Sequence, residues 1–109
     1  MPTTYKVLGQ SNPSATTATT LYTVPSATQA VVSTITVCNQ AATAGTYRVA
    51  VRVAGASLAA SQYVVYDASL PANATDTLTL GVTLGATDVV TVYASSANFS
   101  FAAFGSELS

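Results

Sequence analysis

Apolar residues recur at every second position through most of this chain, a period that fits strands and does not fit amphipathic helices. The clearest run is Thr46-Tyr47-Arg48-Val49-Ala50-Val51-Arg52-Val53. Tyr47, Val49, Val51 and Val53 fall on one face, with Thr46, Arg48, Ala50 and Arg52 on the other. Residues 76–84 repeat the pattern, Leu78, Leu80, Val82 and Leu84 opposing Thr77, Thr79, Gly81 and Thr83. Segment 29–38 sets Val31, Ile35 and Val37 against Val32, Thr34, Thr36 and Cys38, which reads as a strand covered on both faces. Tyr63-Val64-Val65-Tyr66 and Val89-Val90-Thr91-Val92-Tyr93 are rich in β-formers, and Phe99, Phe101 and Phe104 close the chain.

Turn signals punctuate these runs at short intervals. They are Gly9 to Ser14, Pro25-Ser26, Asn39 to Gly45, Ala54 to Ser57, Asp67 to Asn73, Gly85-Ala86 and Ser95 to Asn98. The expected strands are 3–8, 20–24, 29–38, 46–53, 61–67, 76–84, 88–94 and 98–104. Ala54 to Ala60 is Ala-rich and is open to a helical turn. The expected fold is all-β, one antiparallel sandwich of about seven to eight strands. Eight strands fit a jelly roll and seven an immunoglobulin-like sandwich. Residues 1–109 form one domain with no internal boundary. Ser11 to Thr20 is the one linker-like stretch. Residues 1–19 therefore read either as an extended N-terminal arm or as a segment whose residues 3–8 make the sandwich's own first strand.

Composition narrows function. Charged residues are 6% of the 109, against about 25% in ordinary domains. Three cations cannot neutralise a run of phosphates, which argues against a nucleic-acid partner. One Cys excludes an internal disulfide, and the absence of His leaves too few ligands for a zinc site. No run of 18 apolar residues appears, so no membrane-spanning helix is expected. Met1 to Lys6 shows no basic region followed by an apolar one, so folding in a cytoplasm is expected. A free domain with so little charge tends to associate, which points to a subunit whose surface is buried against partners.

Catalysis has little to draw on. General acid–base work needs His or a coupled carboxylate pair, and the acids are only Asp67, Asp76, Asp88 and Glu107. Asp67 and Asp88 lie beside turns, where Asp usually bonds its own turn backbone. Cys38 reads as a small buried hydrophobe. No cofactor is expected. Arg48 and Arg52 share a strand face and read either as intersubunit salt-bridge donors to Glu107 or a neighbour's Asp, or as solvated charges. Tyr47, Tyr63 and Tyr93 fall inside β-periodic runs and are expected to pack in the core or against cross-strand neighbours. Tyr22, Tyr63, Tyr66 and Tyr93 are the stacking set that a carbohydrate-binding module would need.

Leu21-Tyr22-Thr23-Val24-Pro25 followed by Ala30 to Asn39 resembles small virion structural proteins of tailed bacteriophages, especially phages of aquatic bacteria and cyanobacteria. Tyr47 to Val51, Tyr66-Asp67, Leu84 to Val90, Val92 to Ser95 and Phe104 to Glu107 extend the likeness, which spans Thr20 to Glu107. It is a likeness of strand pattern, and no functional residue carries over. It implies a β-sandwich built into a virion after folding in the host cytoplasm. Together these readings point to a capsid decoration or cement protein, assembled as a closed homo-oligomer such as a trimer and touching major capsid proteins. A neck, baseplate or tail-fibre component is the alternative, and a carbohydrate-binding module is the alternative of another class. The expected contact residues are Thr3, Tyr5 and Val7, Arg48 and Arg52, and Phe99, Phe101 and Phe104.

Overall fold

The computed structural model describes residues 2–109. Strands take 59% of the chain, and no α-helix occurs among the described residues. They are β1 (Thr3–Ser11), β2 (Thr19–Thr23), β3 (Gln29–Asn39), β4 (Gly45–Arg52), β5 (Tyr63–Leu70), β6 (Thr75–Leu78), β7 (Val82–Leu84), β8 (Val89–Ala94) and β9 (Phe99–Leu108). Two 3₁₀ turns, Val53–Gly55 and Ala60–Gln62, fill the Ala-rich stretch. One sheet runs β1-β9-β3-β6, with β7 also on β3, and the second runs β2-β8-β4-β5. All pairings are antiparallel.

The pairing follows one rule once β6 and β7 count as a single interrupted strand. The first strand lies beside the last, the second beside the second-last, and so inward to β4 beside β5. That is a ribbon doubled back on itself. Rolling it brings β9 against β3 and β8 against β4, which closes the two sheets. This winding is the jelly roll. Residues 3–11 belong to it as an edge strand of the chain's own first sheet, paired with β9 from Thr3–Leu108 to Ser11–Phe101.

The core lies between the sheets. Ile35, Val37, Val49, Val90 and Val92 are buried there around three aromatic rings. Tyr47 lies 6.3 Å from Phe99 and 6.1 Å from Phe101, centroid to centroid. Asn39 is fully buried at one end, and every polar atom of its side chain is matched. Its amide donates to the carbonyls of Thr43, Leu70 and Pro71, and its oxygen accepts from the Ala41 N–H at 3.0 Å. It thereby ties the β3–β4 connection to the β5–β6 turn.

Several strands depart from simple alternation. The β3–β9 register slips between Val32 and Thr34. Ala30 and Val32 therefore point inward before the slip, and Ile35 and Val37 after it, while Val31 is 40% exposed. The segment that reads as two-sided is one-sided with a bulge. The expected strand 76–84 is broken at residues 79–81, where Gly81 takes φ +62°. Strand 61–67 extends to Leu70 through Asp67, itself at φ +51°.

Gly105 pairs with Val32, at the edge of the β3 bulge. A Cβ there would run into the carbonyl oxygen of Val31. A Cβ at Gly85 would meet only Asp88 Oδ2, at 3.8 Å. Gly105→Ala is expected to lower unfolding free energy by about 3 kcal/mol, the upper end of overpacking costs. Gly85→Ala is expected to change it by less than about 1 kcal/mol. Urea melts of the two variants check the contrast.

Candidate functional site

The chain has three basic and four acidic side chains. All seven lie among the described residues, and each is engaged within the chain. Lys6 Nζ lies 3.1 Å from Glu107 Oε1. Arg48 holds Asp67 through two bonds, Nε to Oδ1 at 2.6 Å and Nη2 to Oδ2 at 3.2 Å. Arg52 donates to the carbonyls of Ala56 at 2.7 Å and Gly55 at 3.0 Å, pinning the turn after β4. Asp88 accepts from the Ala54 N–H at 2.8 Å and the Gly85 N–H at 2.9 Å. Asp76 accepts from the Tyr47 hydroxyl at 2.8 Å.

Two of these contacts join the sheets. Tyr22 on β2 donates to Glu107 Oε2 on β9 at 2.5 Å. Tyr47 on β4 reaches Asp76 on β6. Each tyrosine starts in the second sheet and ends on a carboxylate of the first. Burial pushes both tyrosine hydroxyls up from 10, and the adjacent carboxylates add to the rise. The Tyr22 hydroxyl bond holds Glu107 below its ordinary 4.5; partial desolvation opposes this and Lys6 reinforces it.

The outer face of the first sheet is apolar. Tyr5 is 82% exposed and Val7 49%. With Val31, Ser33 and Phe104 they line a shallow groove across β1, β9 and β3. Thr3 begins the same row on β1, opposite Leu108. The expected group Thr3, Tyr5, Val7 and Phe104 is therefore brought together. Val31 joins it because of the β3 bulge, which no local sequence signal marks.

The outer face of the second sheet carries a different cluster. The Arg48 guanidinium lies 4.3 Å from the ring centres of both Tyr66 and Tyr93, and 6.0 Å from that of Tyr63. Tyr63 and Tyr66 meet edge to face at 5.0 Å. Asp67, turned back by its left-handed backbone, closes the cluster by pairing with Arg48. That bond lowers the Asp67 carboxyl and raises the guanidinium further. Leu58, Ala59 and Ala60 form an apolar hollow beside Tyr63 and Tyr66.

Several expected placements are corrected. Phe99 and Phe101 are 0% and 2% exposed, so they are core residues and offer nothing to a partner. Their alternation on β9 aims them between the sheets, and only Phe104 faces out. Arg48 and Arg52 find their partners inside the chain, as does Glu107. Asp67 binds Arg48 rather than its own turn, whereas Asp88 does cap turn backbone. Of the two expected settings, Tyr93 takes the cross-strand one, against its partner Arg48, and Tyr63 joins it on the outside, while Tyr22 is buried away from them at 7% exposure. Cys38 is half-buried rather than fully so. No group of three or more potential metal ligands occurs among the described residues. Compared with known proteins, the chain matches no family model, no curated protein and no solved structure.

The clasps set a pH dependence. Glu107 has a lowered value when folded, so its contribution is present above 4.5 and lost as pH falls through that lowered value. Glu107→Gln is expected to melt below the parent at neutral pH, with the gap closing in acid. The tyrosines have raised values, so their contribution is present below pH 10 and lost as pH rises beyond it. Thermal melts across both ranges, with Tyr22→Phe beside the parent, check both signs.

Proposed function

We propose that this chain is a non-enzymatic structural protein of a bacteriophage virion, packed in many copies as a homo-oligomer and acting as a capsid decoration or cement protein. The observation that carries the reading is the outer face of the first sheet. It displays Tyr5, Val7, Val31 and Phe104, and the one charge that lines it, Lys6, is already paired with Glu107. Such a face gains from being covered, at about 25 cal/mol per Å² of apolar surface removed from water. Spread across the joints between capsid subunits, that gain resists the separation of those subunits. The same engagement of charges argues against catalysis, because each carboxylate is committed to a hydroxyl, a cation or backbone N–H groups. The likeness of Thr20 to Glu107 to small phage virion proteins supports the setting.

A second reading rests on the Arg48 cluster. Tyr63, Tyr66 and Tyr93 beside the Leu58 hollow offer aromatic surface to a sugar ring. The guanidinium already covers two of the three rings, which weakens this reading against the first. Binding on a glycan array, abolished by Tyr66→Ala, would favour it.

Quantitative mass spectrometry of purified particles tests the first reading. A ratio to the major capsid protein on the order of one to one, or one to a few, is expected for a head decoration. A few copies per hundred would move the protein to the neck, baseplate or tail fibre. Particles without it are expected to burst at lower temperature. Equal heat resistance would overturn cementing.

A further inference from the structure

A sandwich has sheet edges, and each edge strand carries main-chain N–H and C=O groups that can template another strand. Among the described residues the edges are β1 and the β6/β7 line in the first sheet, and β2 and β5 in the second. Three are blunted. The β6/β7 line is two pieces of four and three residues, broken at Gly81. β5 is interrupted by the left-handed Asp67 and slips register against β4. β2 is five residues long, slips between Thr20 and Tyr22, and has Gly9 of β1 laid against its Leu21 carbonyl. The remaining edge, Thr3 to Val7 of β1, has no bulge until Leu8 and no Pro.

The usual protection of such an edge is a charge. Lys6 is the one charge on β1, and it is drawn to Glu107. The direction of the free main-chain groups follows from the ladder. The Ser109 N–H donates to the Pro2 carbonyl at 3.2 Å, so residues 2 and 109 stand at a hydrogen-bonded position of the ladder, although Pro2 has no N–H to return. Antiparallel pairs alternate, which sends the N–H and C=O groups of Thr3, Tyr5 and Val7 away from β9. These are the residues whose side chains open the apolar outer face.

We propose that this edge pairs with the same edge of a second copy, antiparallel across a two-fold axis at Tyr5. The occupant is a second copy because the stretch is complementary to itself. Outward-bonding residues must face outward-bonding residues, so Tyr5 meets its own counterpart and Thr3 meets the other copy's Val7. These are aromatic and β-branched cross-strand pairs, the favourable kinds. Lys6 then stands opposite Thr4 and not opposite another Lys6. The two first sheets become one continuous sheet, and the two apolar faces merge into a single larger one. This deepens the assembly reading above and rests on it only in that copies must meet. It makes a two-fold pair, and not a threefold ring, the building unit.

Light scattering of the purified full chain at micromolar concentration tests the pairing without any particle. A mass of twice the chain is expected. Tyr5→Pro removes the exposed ring and an N–H that points away from β9, and leaves the β1–β9 bonds in place, so it should keep the β-sheet circular dichroism and halve the mass. In a Cys38→Ser background, Tyr5→Cys should oxidise to a linked dimer, because facing residues lie about 5.5 Å apart. Thr4→Cys should not, because the pairing carries the two Thr4 positions beyond the roughly 7 Å reach of a disulfide. A monomeric parent chain overturns the pairing, and so does a dimer that survives Tyr5→Pro or crosslinks equally at Thr4. Failure of the particle experiment with success here would leave the pairing standing and remove the cementing role.

Discussion

The fold depends on filling the space between two sheets built mostly from small residues. Ala and Val supply much of the chain, and their side chains alone leave the sandwich thin. Tyr47, Phe99 and Phe101 occupy the middle, their rings within 6.1–6.5 Å of one another. Room for them is made by subtraction: a Cβ on Gly45 would lie 2.8 Å from the Phe99 ring. The aromatic wedge also carries polarity to the rim, where the Tyr47 hydroxyl finds Asp76. Burial and the inter-sheet clasp are thus two ends of one side chain. Tyr22 and Glu107 repeat the device on the other pair of strands.

Alternation is why the architecture is readable from residues. Tyr47 and Val49 face inward because the pleat puts every second residue there, and β4 and β8 lie close to the expected strands 46–53 and 88–94. Winding is not local: nothing within residues 3–8 states that they lie beside residues 104–108. The misread elements share one cause, a single inserted or inverted residue. At Ser33 a bulge moves Val31 outside while keeping Val32, Ile35 and Val37 inside. At Asp67 a left-handed residue redirects a carboxylate from its own turn to Arg48. Period-two reading has no term for such a residue, because its cost and its gain both lie in tertiary contacts. The same limit applies to Phe99 and Phe101, whose hydrophobicity equally fits a core or an interface. Register against β3 decides for the core.

Scarcity of charge shapes the surface as much as it shapes the interior. Ordinary domains keep many charges in water, which maintains solubility and guards sheet edges. Here each charge has an internal duty. Arg48 braces tyrosines, Arg52 holds a turn, Asp88 caps another, and Lys6 and Glu107 join β1 to β9 and β2. An exposed pair such as Arg48–Asp67 is screened by water, so its value is in orientation more than in stability. It fixes the rings of Tyr66 and Tyr93 and places a paired charge on an outer face that also exposes Val64. The first sheet receives no such cluster.

The two faces therefore stand in different relations to water, and that asymmetry has a direction. Where Arg48 and Asp67 lie on the second sheet, the Tyr66 side chain remains exposed beside a charge that hydrates it. On the first sheet Tyr5, Val7 and Val31 stand among Ser33, Gly105 and Ser106, and the one charge beside them is Lys6, which is paired with Glu107. Lys6 sits on the adjacent position of the same strand and is drawn off to Glu107. A carboxylate at residue 107 thus does two things at once. It clasps the sheets through Tyr22, and it removes from β1 the cation that would otherwise guard both its edge and its face. The inter-sheet clasp and the pairing of the only charge on β1 thus meet on the same side chain.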